Sequence, residues 1–120
     1  IESVGSSVLG FNMDPVNFIG TLEQAFDPTS VVNELFDELG PYIVAAHFKD
    51  YKIDNKLVFH VEETVLGTGL MDQITYLKRF SEICKNRFVL IEHLDDVDVP
   101  LAKKNLDKIA LNLNIKWQSR

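Results

Sequence analysis

Apolar and polar positions along this chain follow two rhythms. Three apolar runs at residues 8–13, 42–46 and 88–91 have strand length. The second and third lack polar alternation, the pattern of parallel strands covered on both faces. Each run is followed by apolar residues recurring every three or four positions, the spacing of a helix with one buried stripe. That spacing predicts helices over 30–39, 71–85 and 99–113. The first takes Asp27 or Thr29 as N-cap and stops at Gly40-Pro41; the third opens at Asp98 with Pro100 in its first turn.

The resulting order, β-α-β-α-β-α, is a parallel α/β architecture. Three strands by themselves leave two parallel edges open, which isolated domains avoid. A (β/α)8 barrel takes ~250 residues, so three βα units with strand starts about 35 to 45 residues apart fit the last part of one. The expectation is therefore the C-terminal three βα units of a TIM barrel, with outer helices and no closure. Residues 1–120 would be a single C-terminal part whose N-terminal part is absent, in keeping with a first residue, Ile1, that is not Met.

Composition narrows the partners. A net charge of -6 argues against a phosphate-backbone binder, which concentrates Lys and Arg on one face. Cys84 is the only cysteine, which rules out an intramolecular disulfide and a multi-cysteine zinc site. No apolar run approaches the ~20 residues of a membrane span, and residues 1–5 have no signal-type character. The expected setting is cytoplasmic, with neither nucleic acid nor membrane as partner. Pairing of strand edges between two copies is an expected route to a homo-oligomer.

The chemistry lies directly behind the strands. The first run ends in Asn12-Met13-Asp14, the second in His47 and the third in Glu92-His93. In parallel α/β folds the carboxyl ends of the strands share one rim, and ligands bind there. Asp14, His47 and Glu92 would converge on it, offering oxygen, nitrogen and oxygen donors suited to Mn²⁺, Mg²⁺, Co²⁺ or Zn²⁺. Taken singly, Asp14 before Pro15 reads equally as a turn cap, and His47 as a partly buried histidine. A carboxylate at Glu92, after four apolar strand residues, is harder to explain by packing.

Four motifs carry a resemblance: Phe11 to Asn17, Tyr42 to Asp50, Val65 to Asp72 and Val89 to His93. In order and spacing they resemble the last four motifs of the sugar phosphate isomerase/epimerase superfamily, the xylose isomerase-like TIM barrels. The resemblance covers essentially the whole chain. It implies one divalent metal ion held by Asp14, His47 and Glu92, with a further Glu from the preceding part of the barrel that has no counterpart here. It implies Asn17 as a substrate contact where many epimerases carry His, and Asp50 as a brace supporting the His-bearing loop. Gly67 and Gly69 resemble the family's P-G-x-G turn, with Leu66 in place of the proline, and would let the backbone approach substrate. Lys49 and Lys52 could meet a phosphate or a sugar hydroxyl. His60 and Glu63 fall in a long loop that, in the endonuclease branch, supplies an Asp-x-His pair for extra zinc ions, a pattern this chain does not reproduce.

The activity so implied is a metal-dependent sugar or sugar-phosphate isomerase or epimerase working by enediolate proton transfer, with Glu92 as both ligand and acid/base and a small-molecule sugar or sugar phosphate as substrate. The fragment alone would be inactive. An inosose-type dehydratase on the same site, or an abasic-site endonuclease, are the alternative activities within the resemblance.

Overall fold

A computed structural model describes residues 1–54 and 56–118. Its element order is β1 (Phe11–Met13), α1 (Leu22–Phe26), α2 (Pro28–Leu39), β2 (Ile43–Phe48), β3 (Asp50–Asp54), β4 (His60–Thr64), α3 (Gln73–Ile83), β5 (Phe88–Ile91) and α4 (Val99–Asn112). Strands β1, β2 and β5 form a parallel sheet in that order, with Met13 opposite Ala46 and His47 opposite Leu90. The α/β alternation expected from the sequence is present, as a three-stranded parallel sheet without a closed barrel.

Local chemistry sets the boundaries. Asp27 caps α2 by accepting from the Ser30 N–H, and Pro28 opens the helix, where its missing N–H costs nothing. Asp72 caps α3 through Thr75 N–H and also accepts from the Thr29 hydroxyl at 2.7 Å, tying the starts of α2 and α3 together. Burial alone would raise the Asp72 pKa, but these hydrogen bonds outweigh it and hold the carboxyl below its ordinary range. The first strand is shorter than its apolar run suggests. Val8 and Leu9 are exposed, and pairing begins at Phe11, opposite Ile43.

The core lies between the sheet and the helices. Val31, Val32, Leu35 and Phe36 from α2, Tyr76, Leu77 and Phe80 from α3, and Ala102, Leu106 and Ala110 from α4 are all buried. Phe48 of β2 stacks on Tyr76 with ring centroids 4.1 Å apart. Trp117 donates to Asp107 at 2.8 Å and so ties the segment after α4 back to that helix.

The stretch expected as a long loop after His47 is instead an antiparallel hairpin, β3–β4, in which Tyr51 faces Glu63 and Lys52 faces Glu62. Only Lys49 separates it from β2, so the chain leaves the parallel sheet and immediately starts a second, two-stranded one.

Candidate metal centre

Asp14, His47 and Glu92 stand where their strands end. Asp14 follows β1, His47 is the penultimate residue of β2, and Glu92 follows β5. The register sets Asp14 level with His47, because Met13 lies opposite Ala46, and sets Glu92 level with Lys49, because Ile91 lies opposite Phe48. One ligand atom from each of the three residues lies within 4.8 Å of the others. His47 Nδ1 is 2.8 Å from Glu92 Oε2 and 3.7 Å from Asp14 Oδ2.

The Asp14 side chain caps no backbone N–H of the turn it precedes. Its Oδ2 accepts from Asn17 Nδ2 at 2.9 Å, while its buried Oδ1 has no hydrogen-bond partner. A buried carboxylate oxygen without a partner is costly unless something else binds it. With O, N and O donors so grouped, the residues fit a divalent cation that would keep open positions for other ligands.

Lys49, which the sequence offers beside Lys52 as a contact for a phosphate or a sugar hydroxyl, is buried against two of the triad's carboxylates. Its side chain is 4% exposed, and Nζ lies 2.9 Å from Asp14 Oδ2 and 3.0 Å from Glu92 Oε2. Burial would depress the Lys49 pKa, yet the two carboxylates prevail and raise it. Glu92 mirrors this: desolvation pushes its pKa up, and Lys49 first, then His47 and His93, bring it down below the ordinary value.

The outer rim adds Asn12, whose Nδ2 is 2.8 Å from His47 Nε2, and His93, whose Nδ1 is 2.8 Å from Glu63 Oε1 of β4. Glu63 also comes within 3.8 Å of Lys49 Nζ. The hairpin therefore touches the site through Glu63. His60 is exposed at the start of the same strand.

Other expected site residues have different partners. Lys52 is exposed and pairs with Glu62 at 3.2 Å across the hairpin rather than joining the triad. The N–H groups of Gly67 and Gly69 both donate to Asp50 Oδ2, at 2.8 and 3.0 Å. Asp50 Oδ1 accepts from Met71 N–H at 3.0 Å and Tyr51 N–H at 2.9 Å. Asp50 thus clamps the turn before α3 onto the chain just beyond Lys49. A Cβ on Gly69 would collide with the Tyr51 carbonyl and the Asp50 carboxylate, so glycine is required there.

Sequence reasoning missed two further positioning groups, both on α3. Tyr76 Oη donates to the Met13 carbonyl at 2.8 Å and lies 3.2 Å from the His47 carbonyl. Gln73 Nε2 donates to the Lys49 carbonyl at 2.6 Å. They fix the backbone beside three site residues. Their only sequence signal is a polar atom on the buried stripe of a helix, which must find a partner.

No family model matches the sequence, and no curated protein is similar to it. Solved structures are. The fold is similar to the crystal structure of a xylose isomerase domain protein from Planctomyces limnophilus, with a TM-score of 0.72 and 24% identity over 95% of this chain and 40% of that one. The fold is that of a partial TIM barrel. A second similar structure is a xylose isomerase-like TIM barrel protein from Mycobacterium smegmatis in complex with magnesium, with a TM-score of 0.66 and 17% identity over 93% of this chain and 36% of that one. The chain thus spans less than half the length of these two barrel proteins.

Proposed function

We propose that the protein to which this chain belongs is a metal-dependent isomerase or epimerase of sugars or sugar phosphates. The observation that carries this reading is the convergence of Asp14, His47 and Glu92 within 4.8 Å at the carboxyl ends of three parallel strands. The magnesium found with the Mycobacterium smegmatis barrel adds support for a divalent ion at such a fold.

Asp14 would offer its unpartnered Oδ1, Glu92 a carboxylate oxygen and His47 a ring nitrogen. For His47 to present a lone pair from Nδ1, Nε2 must carry the proton, and Asn12 would then turn its amide oxygen to accept it. A bound divalent ion supplies Lewis acidity toward a carbonyl oxygen. Glu92 is the group that can take or return a proton at the carbon next to that carbonyl. Asn17, anchored on Asp14, would contact a sugar hydroxyl at the mouth. Asp50 would act indirectly, by clamping the turn before α3 next to Lys49.

The test is Mn²⁺ titration of the full-length chain by calorimetry, with Asp14→Asn, His47→Ala and Glu92→Gln alongside. We expect each substitution to weaken binding at least about tenfold, the scale of a lost metal ligand or its support. Turnover assays on ketohexoses, sugar phosphates and inososes then separate isomerisation from dehydration. Unchanged Mn²⁺ affinity in all three variants would sink the proposal.

A further inference from the structure

We propose that Lys49 is an internal competitor of the divalent ion, so that metal binding requires its ammonium to leave Glu92. This rests on the reading of Asp14, His47 and Glu92 as a metal centre, and adds a control to it.

Lys49 Nζ lies 2.9 Å from Asp14 Oδ2 and 3.0 Å from Glu92 Oε2, and that same Glu92 oxygen is 2.8 Å from His47 Nδ1. Ammonium and imidazole therefore meet on one carboxylate atom. An ion shared by His47 and Glu92 would need both lone pairs directed at it from about 2.0–2.2 Å. Nζ is 3.0 Å from the Glu92 oxygen that would supply one of them, and it carries like charge. With the Lys49 side chain 4% exposed, little water is available to screen the repulsion.

The ammonium has somewhere to go. Glu63 Oε1, on the hairpin, is 3.8 Å from Nζ, and Asp14 has an unpartnered oxygen, Oδ1, beside the Oδ2 that Lys49 holds. The step is thus a shift of Nζ from Glu92 toward Glu63, with Asp14 bridging the two cations. Any substrate oxygen that accepts from the displaced Nζ favours the shifted position, so metal and an oxygen-rich ligand would bind cooperatively. A purely structural lysine has no such consequence.

The experiment compares Mn²⁺ affinity of the full-length chain with that of Lys49→Met, which keeps the aliphatic stem, and Lys49→Gln, with folding checked by circular dichroism. Glu92→Gln serves as the ligand control. We expect Lys49→Met and Lys49→Gln to bind Mn²⁺ at least tenfold more tightly than the unmodified chain, even where they unfold at lower denaturant. Binding by the variants but not by the unmodified chain supports the proposal in stronger form. Equal or weaker binding by folded variants, with Glu92→Gln still weakened, overturns the competitor role and leaves the metal centre standing. No binding by any form overturns both.

Discussion

The carboxylate of Asp50 is 1% exposed and accepts four backbone N–H groups, from Tyr51, Gly67, Gly69 and Met71. An amide at this position would keep one acceptor oxygen and turn an NH₂ group against inward-pointing donors. Asp50→Asn should therefore destabilise the chain by roughly 3 kcal/mol, the sum of lost charge-assisted bonds and buried unpaired donors. Urea unfolding at neutral pH measures it, and a loss below about 1 kcal/mol would show that the clamp is dispensable. Lys49 teaches the complementary lesson. In the sequence it is one lysine among several on a polar stretch, and only the pairing of β2 with β1 and β5 surrounds it with Asp14 and Glu92. Its burial is decided by Asp14 and Glu92, neighbours 35 and 43 positions away along the chain.

At the scale of elements, α3 does more than cover the sheet. Tyr76 and Gln73 reach through the layer to the carbonyls of Met13, His47 and Lys49, so the helix fixes the backbone from which the site projects. Tyr76→Phe keeps the stacking on Phe48 but removes the donor to the Met13 and His47 carbonyls. It should cost about 1–2 kcal/mol in urea unfolding and weaken Mn²⁺ binding several-fold. Loss of stability with unaltered metal affinity would mean that α3 merely packs. The three main helices were legible because periodicity, the Asp27 cap, Pro100 in the first turn of α4 and Gly40-Pro41 are local signals. The β3–β4 hairpin was not. Its residues alternate weakly, the sequence between its strands has no glycine to mark a tight turn, and it is held by cross-strand pairs such as Lys52–Glu62.

Across the whole molecule, the parallel sheet ends at β1 on one side and β5 on the other, with neither edge paired in the described structure. Val44, Phe88 and Leu90 leave apolar surface exposed beside them. Open edges with apolar neighbours recruit other strands. The 120-residue chain alone should self-associate at micromolar concentration in analytical ultracentrifugation, and Leu90→Lys should reduce it; a monodisperse monomer would show that the edges are protected. By itself the sequence determined the α/β alternation, the helix limits and the three donors at the strand ends, because each depends on residues close together in the chain. Only the tertiary structure decided that these donors meet within 4.8 Å, that Lys49 is buried between two of them, and that the Gly67 and Gly69 amides serve Asp50. Those outcomes are set by strand register and by a helix packed across the sheet. The distances involved are spatial, and the amino-acid order holds them only through the fold.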